Sequence, residues 1–242
     1  WISVKAVGWL PLTLYDKTQW NGDPETLKGK KCFGGVDLSS TTDLTAFVLF
    51  FPAQPGLEKA VFLPHIWRSG MDIATAEARD HVPYRDWARA RFLTICDGDT
   101  IDFPLVRETI VCAARDYDLQ MIGFDPYLSR TITQDIQACI KGETTTIVEI
   151  PQDMKNLSPA MKEIETGMRK HEMLHVHNTC ARWCFGNVRC AVDGNENKKP
   201  MKNRSTGRID PTVAGIIAVA AWMIGRNQPK TLSDAIASGE FG

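Results

Sequence analysis

The apolar run at residues 213–224 constrains this chain more than any other segment. It carries no charged side chain and is apolar on every side of a helix, so a helix built from it has no face to offer water. It is also too short for a membrane span, which needs roughly 20 residues. The rest of the chain must therefore wrap around it. Asp210-Pro211 opens the helix, with proline in the first turn, and Gly225 ends it. A chain of 242 residues supplies one large domain or two small ones. Its 43% hydrophobic and 24% charged residues are ordinary globular usage, which excludes disorder, collagen and coiled coil as descriptions of the whole.

The wrapping material is legible as strands and helices. Residues 32–37, 44–51 and 60–67 read as three strands, joined by the polar stretch 39–43 and the turn 52–56. Such an order is an antiparallel meander. Helical patterning follows at 72–79, 84–91 and 103–116, the last with Val106, Ile110, Val111 and Ala114 at helical spacing. A short strand at 120–124 ends at Asp125-Pro126. It is followed by a helix at 129–140, a strand at 145–150, a helix starting at Ser158-Pro159, a strand at 173–177 and a helix at 179–187. Residues 194–208 read as a loop. The sum is a mixed α/β sheet, an antiparallel meander followed by parallel strands, with helices on both faces. Residues 1–30, with Trp1, Trp9, Trp20 and the turn at 21–24, read as an approach segment outside the core. Residues 226–242 read as a polar tail.

Three carboxylates stand where an apolar element meets an exposed turn. Asp37 ends the first strand, Asp125 ends the strand at 120–124, and Asp210 begins the buried helix. If the two strands are adjacent and parallel, Asp37 and Asp125 emerge at one sheet edge. A helix packed on that sheet brings Asp210 within reach. Converging carboxylates suit hard cations such as Mg²⁺ or Mn²⁺, and two such ions activate water and stabilise the leaving oxygen in phosphodiester hydrolysis. Each residue also has a structural reading. Asp210 before proline suits a helix N-cap, Asp125 suits a turn, and Asp37 can simply end a strand.

These residues carry a family resemblance. Gly35-Val36-Asp37-Leu38-Ser39-Ser40-Thr41-Thr42-Asp43-Leu44-Thr45-Ala46 resembles the opening of the nuclease domain in large terminase subunits of tailed phages. Ile122-Gly123-Phe124-Asp125-Pro126-Tyr127 resembles that family's second motif, and Arg208-Ile209-Asp210 with Val213-Ala214 its third. The resemblance implies a ribonuclease H-like fold over residues 31–225. It also implies cleavage of double-stranded DNA during genome packaging, with two divalent cations held by Asp37, Asp125 and Asp210. It further implies a small terminase subunit and a portal as partners, and the cytoplasm of an infected bacterial host as the place of action. Such proteins carry an N-terminal ATPase motor. This chain opens at Trp1 and has no G-x-x-x-x-G-K-[ST] phosphate loop, so residues 1–30 would be the linker or tail of that motor.

The remaining candidates are weaker. Asp43 stands across the first turn from Asp37, where it can bind metal or hold the turn. His171, His175 and His177 with Cys180 and Cys184 match no common zinc spacing, and His175 alone is kept as a candidate at the site. Seven scattered cysteines without C-x-x-C favour reduced thiols, and no secretory leader is evident. Net charge is −1, so a nucleic-acid partner must be read from local patches. The segment at 198–208 is one, with Lys198, Lys199, Lys202, Arg204 and Arg208 and no acid. It is read as a grip on the DNA backbone. Two rival functions are an actin-like or sugar-kinase-like ATPase, whose phosphate hairpin residues 35–42 also resemble, and a catalytically inactive DNA-docking module.

Overall fold

A computed structural model describes residues 7–39, 43–126, 130–140 and 145–227. The strands are β1 (Val7–Gly8), β2 (Gln19–Trp20), β3 (Lys31–Asp37), β4 (Thr45–Phe51), β5 (Ala60–Ser69), β6 (Thr94–Cys96), β7 (Asp118–Phe124), β8 (Thr146–Glu149), β9 (Met173–Val176), β10 (Arg189–Val192) and β11 (Lys198–Pro200). The helices are α1 (Leu12–Asp16), α2 (Ile73–Asp80), α3 (Tyr84–Arg89), α4 (Phe103–Asp116), α5 (Arg130–Cys139), α6 (Met154–Arg169), α7 (Thr179–Asn187) and α8 (Asp210–Arg226). Among these residues no helix is long and apolar enough to cross a membrane.

The meander forms as its patterning predicts, with β3, β4 and β5 antiparallel in sequence. Strand β4 is buried along its whole length, as suits a central strand covered on both faces. The main sheet runs β2-β9-β5-β4-β3-β7-β8, with β6 added beside β5. Strand β7 lies parallel to β3, and β8 parallel to β7. One face packs Phe33, Phe50 and Met121 against α6 and α8. The other packs Phe47, Leu49, Ile122 and Phe124 against α4 and α5.

Helix α8 is the buried helix, and it lies directly on the backbone of β3. A Cβ at Gly35 would stand 2.0 Å from the Ala214 carbonyl oxygen and 2.3 Å from the Ala218 amide nitrogen. Only glycine permits that approach. The contact brings the first residue of α8 to the end of β3 that carries Asp37.

Several expectations need correction. Residues 7–30 are not outside the core. Trp9, Leu10, Tyr15 and Leu27 are buried in it, and β2 pairs with β9. Helix α6 starts at Met154 rather than Ser158, because Asp153 accepts from the Asn156 amide at 2.9 Å and Pro159 is accommodated inside the helix. Residues 194–208 are not wholly loop. Strand β11 pairs antiparallel with β10, and a 3-10 turn follows at Lys202–Arg204. The end of α8 extends to Arg226, whose guanidinium lies 4.4 Å from the centre of the Trp222 ring. The rest of the polar tail, from residue 228, lies outside the described residues, as do residues 40–42 of the first motif and Tyr127 of the second.

Candidate active site

Strand β3 and helix α8 place two carboxylates side by side in the interior. Asp37 is 0% exposed and Asp210 2%. Between them stands the ammonium of Lys202. Its Nζ donates to Asp37 Oδ1 and to Asp210 Oδ1, each at 2.9 Å, and lies 2.8 Å from Asp37 Oδ2. Gln152, two residues beyond the buried Ile150, donates from Nε2 to Asp37 Oδ1 at 3.2 Å. Asp37 Oδ2 is buried and accepts no hydrogen bond of regular geometry.

Asp210 is not the cap of its helix. Ile209 occupies the N-cap position with no side-chain cap bond, and Asp210 is the first helical residue. Its carboxylate points to Lys202 instead. The segment leading to it is held by Asn187, whose Nδ2 donates to the Arg208 carbonyl at 3.3 Å and whose Oδ1 accepts from Thr206 at 3.1 Å. On the other side, Thr45 closes the connection after Asp37: its Oγ1 accepts from the Ser39 amide at 3.0 Å. Asp43 pairs with Arg208, and these two line a cleft with Lys202 and Asp210.

Asp125 follows Phe124, which is in register with Val36, so Asp125 and Asp37 are the next residues along adjacent parallel strands. It is half-buried there. Among the described residues, however, no three acidic, histidine or cysteine side chains converge closely enough to hold an ion together. Two carboxylates meet around Lys202, and the third flanks them at the same sheet edge.

His175 is not at this edge. It pairs with Phe62, four residues along β5 from Ile66, which is level with Asp37 through Ala46. Three strand spacings and four residues separate it from Asp37 by about 20 Å. Its ring stacks on Tyr15 at 3.7 Å, and Nε2 lies 2.9 Å from the Tyr15 carbonyl. Burial lowers its pKa. It is a core histidine.

The basic segment is also redistributed. Lys198 is bound to Glu165 at 2.8 Å, Arg208 to Asp43, and Lys202 to the two buried carboxylates. In this structure all three are engaged in ion pairs within the protein. Among the described residues, Lys199 and Arg204 make no such pair. Gln152 carries no signal in the sequence, since a lone glutamine after a strand does not reveal what it meets.

Burial pushes the Asp37 carboxyl up to about 7, against the pull of Lys202 and with the charge of Asp210 adding to the rise. Burial acts to lower the Lys202 ammonium, but the two carboxylates outweigh it and hold it above the ordinary lysine range. The folded protein therefore binds more protons at Asp37 than the unfolded chain does, between the ordinary value of 3.8 and about 7. Stability from this group is full at low pH and is lost as pH rises through that window. In metal-free melts, the parent should lose stability relative to Asp37→Asn between about pH 4 and pH 7. A difference that stays flat over that range would contradict the shift.

Two buried carboxylates side by side, with an ammonium held between them, form an oxygen-rich position for a cation. The donor set fits a hard divalent ion. The sheet order, with its meander, parallel flank and covering helices, is that of a ribonuclease H-like fold. The family description "Terminase large subunit, endonuclease domain" matches residues 6–225, and the chain belongs to that family. Membership sets aside the actin-like ATPase reading. The terminase large subunit of Enterobacteria phage HK97 is 29% identical over 192 residues, covering 79% of this chain and 37% of that protein. Protein YmfN of Escherichia coli K12 is 26% identical over 222 residues, covering 88% of this chain and 48% of its own length. The chain thus spans less than half the length of these curated relatives. The crystal structure of the HK97 large terminase superposes with a TM-score of 0.79 at 26% identity, covering 90% of this chain and 44% of that one. The large terminase nuclease of thermophilic phage G20c, with bound magnesium, superposes with a TM-score of 0.50 at 10% identity over 80% of this chain and 84% of that one, a likeness of fold.

Proposed function

We propose that this chain is a divalent-metal-dependent endonuclease that cuts double-stranded DNA during phage genome packaging. One observation carries the reading: in a member of the terminase nuclease family, two buried carboxylates from β3 and α8 meet around a single cation position. Asp37 and Asp210 would hold Mg²⁺ or Mn²⁺, with Asp125 supplying a further oxygen from the neighbouring strand end. The magnesium bound in the G20c relative supports that choice. When bound, such ions activate water and neutralise charge at the phosphodiester. Gln152 fixes the rotamer of Asp37 through its hydrogen bond. The Asp43–Arg208 pair shapes the mouth of the cleft. In the full-length protein an ATPase motor would precede this domain, working with a small subunit and a portal in the host cytoplasm.

The reading is tested by incubating the chain with supercoiled plasmid. Nicking in Mn²⁺ or Mg²⁺ that stops on chelation is the expected result. Cleavage indifferent to chelation, or none with either ion, would overturn it.

DNA contact is assigned to Lys199 and Arg204. Replacing both with Ala should weaken binding equally on unrelated sequences. It should also reduce the salt slope by about two units, roughly one for each phosphate no longer gripped. An unchanged slope would return both residues to solvated surface.

A further inference from the structure

Lys202 differs from its basic neighbours in where its charge goes. Its side chain is 40% exposed, while the carboxylates it meets are 0% and 2% exposed. A surface residue has turned its charged end into the interior. Three carboxylate oxygens lie within 2.9 Å of Nζ, so the ammonium sits inside a shell of oxygens from two different elements. A divalent ion held by both Asp37 and Asp210 would need those same oxygens, at about 2.0–2.6 Å. Two cations cannot share that space, since both would claim the same oxygens and repel each other at contact distance. The lysine is carried by the exposed 3-10 turn Lys202–Arg204, which has no side-chain cap. Withdrawing it disturbs a surface turn and leaves the core packing of β3 and α8 in place.

We propose that Lys202 is a built-in counter-cation: it closes the carboxylate pair in the metal-free protein and must be displaced for a divalent ion to enter. The inference rests on the metal-site reading above. It makes the ammonium a competitor of the metal. The lysine has two effects, stabilising the empty site and weakening apparent metal affinity, because part of the binding energy goes into expelling it.

The test is Mn²⁺ titration of the chain by calorimetry without DNA, beside metal-free thermal melts. Lys202→Met keeps the length of the stem and removes the charge. It should bind Mn²⁺ about tenfold or more tighter than the parent and melt lower without metal. Lys162→Met removes the same charge from α6 and should leave Mn²⁺ affinity at the parent value. Unchanged or weaker Mn²⁺ binding by Lys202→Met would overturn the proposal, as would equal tightening in both variants. If Lys202→Met does not fold, Lys202→Gln, which retains one donor group, is read by the same criteria. Asp37→Asn separates the two levels of inference. If it binds Mn²⁺ as the parent does, or if neither parent nor Lys202→Met binds any, the metal-site reading itself fails. If Asp37→Asn loses binding and Lys202→Met gains none, only the role of Lys202 fails.

Discussion

Asp37→Asn and Asp210→Asn should each lower plasmid cleavage in Mn²⁺ by about 10³-fold, a loss on the order of 4 kcal/mol in barrier height, while the fold survives. Asparagine preserves size and removes charge. At Asp210 the substitution is clean, because the residue caps nothing: Ile209 holds the cap position. The helix loses an acidic group in its first turn, worth about 0.3–1 kcal/mol, and Lys202 loses one of its two carboxylate partners. At Asp37 the change relieves a buried carboxyl whose ionisation is opposed by its surroundings, so the metal-free melting temperature should hold or rise. Plasmid nicking beside a thermal melt decides the matter. Cutting at the parent rate by both variants would remove the carboxylates from the mechanism. Loss of cutting with loss of fold would make them structural.

Among the described glycines, Gly35→Ala should be the most damaging substitution by alanine. The added Cβ would stand 2.0 Å from a backbone oxygen and 2.3 Å from a backbone nitrogen of α8. No side chain can rotate aside, so the helix itself must move. Overpacking of this kind costs about 3 kcal/mol, or a fall of roughly 6–12 °C in melting temperature for a domain of this size. Activity should fall further than stability accounts for, because Asp37 lies two residues beyond Gly35 and Asp210 begins the displaced helix. Gly194→Ala is the control, since a Cβ there meets nothing within 4 Å. Parent-like melting and cleavage by Gly35→Ala would show that the helix does not rest on this strand.

What could be read from the residues alone follows physical range. The meander, α4 and α8 are long and strongly patterned, and each appears within a few residues of where its pattern places it. Strands β2 and β6 have two and three residues, too few for alternation to register. Asp37 and Asp210 stand out because each borders a long apolar element. The inward turn of Lys202 does not, because its partner Asp37 lies 165 residues away and a lysine in a basic segment looks the same whether it faces water or a carboxylate. His175 misleads for the opposite reason. Its spacing from other histidines suggests chemistry, whereas its environment is set by Tyr15, 160 residues distant.

The small sheet β1-β10-β11 joins parts of the chain that are far apart in sequence. Val7 pairs with Cys190, and Cys190 with Pro200, two residues before Lys202. Trp9 Nε1 and Lys198 Nζ both donate to Glu165 Oε1 at 2.8 Å, so the two outer strands share an anchor on α6. Through the strand pairing, residues 7–8 are tied to the segment that precedes Lys202, the lysine held between the two carboxylates.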